Sequence, residues 1–132
     1  MQFAQEIFYI DDSVHDLAYL RIMSARGHFP FALITFPEHD SALLELERRA
    51  TEQMPMPGMI VVDFYLPGTD GSEVLRTIRS RYPNHDFVLA LCSGTDDRDD
   101  IENARIAGAE VILEKPLDLE KCQFLLQDRT KG

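Results

Sequence analysis

Residues 59–71 read MIVVDFYLPGTDG, and the fold turns on how that stretch is read. Met59 to Val62 are apolar, and Asp63 closes the run. Pro67-Gly68 marks a turn, Gly71 follows, and an amphipathic segment begins. A short apolar run bounded by turn signals predicts a buried strand. An Asp at its last position would lie at the carboxyl edge of a sheet, where open α/β sheets place their chemistry.

Working outward, the same pattern recurs. Ile7–Asp11 is an apolar run ending in the acid pair Asp11-Asp12. Ser13, with Asp16 three residues on, predicts a capping box that opens a helix. Val14, Leu17, Ala18, Ile22 and Ala25 recur at helical spacing, and Gly27 stops that helix. Phe31–Phe36 is a second strand. A helix from about Glu38 to Ala50 places Ala42, Leu43, Leu46 and Ala50 on one face. Thr51–Gly58, with Pro55 and Pro57, is a loop.

The helix after the opening stretch runs from about Ser72 to Arg81, burying Val74, Leu75 and Ile78, and ends before Pro83. Phe87–Leu91 is a fourth strand. The acidic segment Thr95–Ala107 repeats Ile101, Ala104 and Ala107 helically, and Asp96, Asp97, Asp99 and Asp100 suit a helix N-terminus. Val111–Leu113 is a fifth strand. A last helix carries Leu119, Cys122 and Leu126. Strand and helix thus alternate five times. Alternation requires right-handed crossovers and a parallel sheet covered on both faces. The expected fold is flavodoxin-like and doubly wound, with strand order 2-1-3-4-5 and a switch point between strands 1 and 3.

The chain has 132 residues, 45% of them hydrophobic, which is enough for one domain with a real core. The expected extent is residues 1–132, with the core at about 6–127. A net charge of −10 argues against direct binding to nucleic acid or an anionic membrane. No apolar stretch approaches the ~20 residues that span a bilayer, and the N-terminus lacks a signal-peptide pattern. Cys92 and Cys122 fall in apolar patterns and read as buried thiols in a reducing compartment. The expected location is cytoplasmic.

In this topology one sheet edge receives Asp11, Asp12, Asp63, Ser93 and Lys115. Three carboxylates together raise one another's pKa unless a cation joins them. Oxygen donors without nearby His or Cys favour a hard ion, and Mg²⁺ is the natural choice. An ammonium and a hydroxyl alongside suit the oxygens of a phosphoryl group. Asp63 is the candidate nucleophile, through an acyl phosphate.

These motifs resemble the receiver domain of bacterial response regulators. The matching elements are Ile10-Asp11-Asp12, Asp63 with Leu66-Pro67-Gly68-Thr69-Asp70-Gly71, Ser93-Gly94, and Gly108-Ala109 leading to Lys115-Pro116. The resemblance implies that Asp63 accepts a phosphoryl group from a histidine kinase or histidine phosphotransfer protein. It implies that Asp12 and Asp63 bind Mg²⁺, Asp11 partly through water, and that the Tyr65 carbonyl completes the protein ligands. Lys115 would pair with the phosphoryl oxygens, Ser93 would swing in to them, and a cis peptide would precede Pro116. Such a chain is no enzyme acting on a separate substrate. It is a phosphoacceptor that catalyses its own phosphorylation and dephosphorylation. Its output would pass to a downstream protein, or to a second copy through the fourth helix, fifth strand and fifth helix. Where the family carries a switch aromatic, three residues before the lysine, this chain has Ile112.

Two other readings follow from the same residues. Ile112 supports an interaction module that keeps the fold and works without phosphorylation. A Mg²⁺-dependent hydrolase with an Asp nucleophile generally has a second acid two residues on, and Tyr65 stands there instead. His15, His28, His39 and His85 lack metal-ligand spacing and read as surface residues. Asp96–Asp100 lacks the Gly and terminal Glu of a calcium loop.

Overall fold

A computed structural model describes residues 5–94 and 98–131. The elements run β1 (Gln5–Ile10), α1 (Val14–Gly27), β2 (Phe31–Phe36), α2 (His39–Thr51), β3 (Met59–Asp63), β4 (Tyr65–Leu66), β5 (Thr69–Asp70), α3 (Gly71–Arg81), β6 (Val88–Ser93), α4 (Arg98–Ala107), β7 (Val111–Glu114) and α5 (Leu119–Lys131). Five parallel strands lie in the order β2-β1-β3-β6-β7. That is the expected 2-1-3-4-5 order once the small β4–β5 hairpin is set aside.

Alternate side chains of each strand go to opposite faces. Phe8, Ile10, Ile60, Val62, Leu89 and Leu91 pack with Leu46 of α2, Ile78 of α3 and Ala104 of α4. Ile7, Tyr9, Met59, Val61, Ala90 and Cys92 pack with Leu17 and Leu20 of α1 and with Cys122 and Leu126 of α5. Burying each large apolar side chain stabilises the fold by roughly 1.5–3 kcal/mol. Val74, Leu75 and Ile78 of α3 are buried as predicted, and so are both thiols. No helix among the described residues is long and apolar enough to cross a membrane.

Three expectations are corrected. On α1, Leu17 of the expected repeat is buried, but Val14, Ala18, Ile22 and Ala25 face outward, with Val14 76% and Ile22 52% exposed. Leu17 and Leu20 form the buried stripe. On α2, Ala50 is exposed and Arg49 is buried in its place. Arg49 pairs with Glu6 and, at 2.8 Å, with Glu45, and lies 5.0 Å from the Phe8 ring centroid. A buried guanidinium persists because it is paired. Finally, the Pro67-Gly68 turn closes a hairpin, β4 with β5, that apolar patterning does not reveal. Gly68 has φ +75, which suits the third position of a type II turn with Pro67 before it.

The acidic segment is described only in part. Thr95, Asp96 and Asp97 lie outside the described residues, whereas Asp99 and Asp100 occupy the first turn of α4. Met56 tucks against the core, and Met54 stays exposed. Phe124 of α5 is exposed, while Leu125 packs inward.

Candidate functional site

Backbone hydrogen bonds carry the sheet just past its strand ends and fix the candidate side chains there. The Asp11 N–H donates to the Phe36 carbonyl at 3.1 Å, and Phe64 N–H to Cys92 at 3.1 Å. Lys115 N–H donates to the Ser93 carbonyl at 3.2 Å. The next turn is held by Gly71, whose N–H donates to the Phe64 carbonyl at 2.7 Å. A Cβ at Gly71 would lie 2.5 Å from the Asp63 carbonyl oxygen and 2.8 Å from Leu91. Only glycine permits that approach.

Asp11, Asp12, Asp63 and Lys115 come together at the switch point between β1 and β3. Asp11 and Asp63 are buried, and Asp12 is exposed. One carboxylate oxygen from each of the three acids lies within 4.8 Å of the others. Asp11 is tied down on both oxygens. Its Oδ1 accepts the Ser13 N–H at 2.9 Å, and its Oδ2 accepts the Tyr9 hydroxyl at 2.7 Å and Lys115 Nζ at 3.1 Å. Lys115 also reaches Asp63 Oδ1 at 3.2 Å and Asp16 Oδ2 at 2.9 Å.

The electrostatics follow from these contacts. Burial, and then the charge of Asp11, push the Asp63 carboxyl up to about 6. Burial also opposes ionisation of Asp11. The hydrogen bonds from Ser13, Tyr9 and Lys115 outweigh it and hold Asp11 below the ordinary carboxylate value. For Lys115, burial works against the charge, but Asp16, Asp11 and Asp63 raise its pKa above that of a free lysine. Burial above all keeps the Tyr9 phenol protonated, so it acts as a donor. Burial likewise pushes the Cys92 and Cys122 thiols up to about 12, which leaves them inert at neutral pH.

A cleft of about 540 Å³ opens over the acids. It is lined by Asp12, Asp63, Gly94 and Lys115 and by the hairpin residues Tyr65, Leu66, Pro67 and Thr69. The cleft thus presents two carboxylates, Asp12 and Asp63, and the Lys115 ammonium, with Asp11 buried beside them.

A family model described as "response regulator receiver domain" matches residues 7–127. The chain belongs to that family. Solved structures share the receiver fold at low sequence identity. A CheY-like receiver domain protein from Methanospirillum hungatei JF-1 is 19% identical, covers 98% of each chain, and superposes with a TM-score of 0.77. The phosphorylated cyanobacterial phytochrome response regulator RcpA is 22% identical over 96% of this chain and 91% of that one, with a TM-score of 0.72. The Mn²⁺-bound form of response regulator Rcp1 is 21% identical over 94% and 90%, with a TM-score of 0.68. No curated protein sequence matches the chain.

Within this receiver, the remaining candidates lie as follows. Ser93 ends β6 and is buried. Tyr65 stands 60% exposed at the cleft, its ring edge-on to Phe64 at 4.8 Å between centroids. Its side chain is thus a wall of the cleft. The Lys115–Pro116 peptide is cis. Ile112 is half-buried and packs against the core cluster beneath α3 and α4. His15 is exposed on α1.

Two residues of the site escape a reading of the sequence. Tyr9 reads as one more apolar strand residue, yet its hydroxyl meets Asp11. Asp16 reads as the acid of a capping box. Its N–H does bond to Ser13 Oγ at 3.2 Å, but its carboxylate goes to Lys115. The available signal was spacing, since Asp16 lies one helical turn after the acid pair.

Proposed function

We propose that this receiver accepts a phosphoryl group on Asp63 from a histidine kinase or histidine phosphotransfer protein and signals by a phosphorylation-biased change of conformation. The observation that carries the reading is the Lys115–Asp63 contact at 3.2 Å, inside a cluster of three acids, in a chain of this family. An Asp63 oxygen attacks the phosphorus of a phosphohistidine. The P–O bond forms as the P–N bond breaks, and the electron pair returns to the imidazole, which takes up a proton. Lys115 receives charge developing on the phosphoryl oxygens, and the Ser93 hydroxyl moves in to donate to them. The protein catalyses its own phosphorylation and hydrolysis and turns over no separate substrate.

The donor set fits Mg²⁺. It offers hard carboxylate oxygens, and the raised Asp63 pKa marks negative charge that a cation would relieve. Asp11, Asp12 and Asp63 would hold the ion together with the Tyr65 carbonyl. Bound there, Mg²⁺ supplies charge neutralisation to the acids and to the phosphoryl oxygens. The Mn²⁺-bound form of Rcp1 and the phosphorylated form of RcpA, both of this fold, support the pairing of metal site and phosphoacceptor.

The acting unit is a single receiver domain with its core at about residues 6–127, and its proposed place is the cytoplasm. Its output goes to a partner protein or to a second copy across α4, β7 and α5, where Ile106 and Phe124 stand exposed. A phosphorylation-independent module remains the second reading, favoured by Ile112 alone. It requires that Asp63→Asn leave partner binding unchanged.

Acetyl phosphate with Mg²⁺ tests the first reading. The expected result is a hydroxylamine-labile phosphoryl adduct that Asp63→Asn abolishes. Failure to form an adduct with any acyl or phosphohistidine donor would sink it.

A further inference from the structure

Lys115 has three N–H bonds to give; it donates to Asp16 and Asp11 and makes an ion pair with Asp63. Asp16 Oδ2 lies at 2.9 Å, Asp11 Oδ2 at 3.1 Å and Asp63 Oδ1 at 3.2 Å. The shortest contact is to the acid that the proposed chemistry leaves unused. Asp16 is free to make it because of how α1 begins. In a capping box the third helical residue reaches back to the N-cap N–H. Here the Ser13 N–H already bonds Asp11 Oδ1 at 2.9 Å, so the Asp16 carboxylate turns to Lys115 instead.

The three acids differ in their freedom to let go. Asp11 is buried and held by Tyr9 and Ser13. Asp63 would itself carry the phosphoryl group. Asp16 has 40% of its side chain exposed, so water can solvate it once it releases the lysine. Lys115 and Asp63 line the cleft, and Asp16 is not among the lining residues. The ammonium therefore stands between the cleft and α1, drawn toward α1 by Asp16.

We propose that Asp16 is a positioning residue that competes with the phosphoryl group for Lys115, and so sets how tightly the phosphorylated site is held. The inference rests on the phosphoacceptor reading above. Asp16 and Asp11 draw the Lys115 donors away from an incoming phosphoryl oxygen, and of the two Asp16 is the one that can yield. Removing its charge has two effects of the same sign: a donor becomes available, and repulsion of the incoming anion falls.

The test uses Asp16→Asn, which keeps the side-chain shape and the N–H bond to Ser13 Oγ. Beryllofluoride serves as the phosphoryl analogue, titrated at saturating Mg²⁺ so that any change in metal affinity drops out. The contact is a partly exposed ion pair, so Asp16→Asn is expected to bind the analogue about two- to fivefold more tightly than the wild-type chain. In a Lys115→Met background the same substitution is expected to gain less, because the competition runs through Lys115. Unchanged or weaker binding in Asp16→Asn would overturn the proposal. So would an equal gain with and without Lys115, which would leave only general charge repulsion. If the wild-type chain fails to bind beryllofluoride at all, the phosphoacceptor reading itself falls, a result distinct from the other two.

Discussion

At Asp63, burial and the neighbouring Asp11 charge both favour the proton, and the carboxyl titrates near 6 rather than at the ordinary 3.8. The folded chain thus binds that proton more tightly than the unfolded chain does. The resulting stabilisation is full below the unfolded value and is lost as pH rises through about 6. Asp11 behaves in the opposite sense. Its pKa is lowered, so its contribution is present above the unfolded value and is lost as pH falls through the folded one. Metal-free Asp63→Asn should therefore gain on the wild-type chain as pH rises from 4 to 7, by ~1–3 kcal/mol at the upper end. Urea melts at both pH values check this, and a gap that does not change with pH would contradict it. Tyr9 acts through its neighbour. Loss of a hydrogen bond to a metal-ligating side chain typically costs 10–100-fold in affinity, so Tyr9→Phe should weaken Mg²⁺ binding about tenfold in calorimetry. Equal affinities would reduce Tyr9 to a packing residue.

Among the elements, β3 shows best how a strand and its following turn aim one carboxylate. The strand ends at Asp63, and Gly71 lets the start of α3 lie directly against the Asp63 carbonyl. Gly71→Ala overpacks this contact and should cost about 1–3 kcal/mol in a urea melt, with Mg²⁺ affinity falling alongside. A variant of wild-type stability would show that the backbone there can move aside. The strands, their order and α3 were legible because an apolar run ending in a carboxylate leaves little choice of face or end. The helix α1, with its Ser13 cap and its end at Gly27, was legible too, but its inward face was not, because it carries two stripes of helical period. Val14, Ala18, Ile22 and Ala25 make one, and Leu17 and Leu20 the other. Periodicity alone cannot choose between them. The assembled fold decides it: Leu17 and Leu20 pack against Ile7, Tyr9 and Val61 of the sheet. Arg49 escaped for a similar reason. A charged residue defaults to the surface unless its partners are known, and one of them, Glu6, comes from a distant strand.

Across the whole molecule, the parallel order brings residues from positions 11, 63, 93 and 115 to one edge, although they are widely spaced in the chain. That convergence made most of the candidate site legible, because no single motif could have done it. Contacts that depend on side-chain direction, such as Tyr9 to Asp11 and Asp16 to Lys115, required the assembled fold. The same convergence concentrates negative charge in a chain already at −10. A bound divalent cation should therefore stabilise the entire fold by mass action. Mg²⁺ at millimolar levels is expected to raise the thermal midpoint of the wild-type chain, and to raise that of Asp63→Asn less. Equal shifts would place the ion elsewhere. The central claim is that Asp63 becomes the acyl phosphate. The most direct measurement is borohydride reduction of the chain after acetyl phosphate treatment, followed by peptide mass mapping. Homoserine at position 63 is the predicted result; reduction confined to Asp11 or Asp12, or none anywhere, would contradict it.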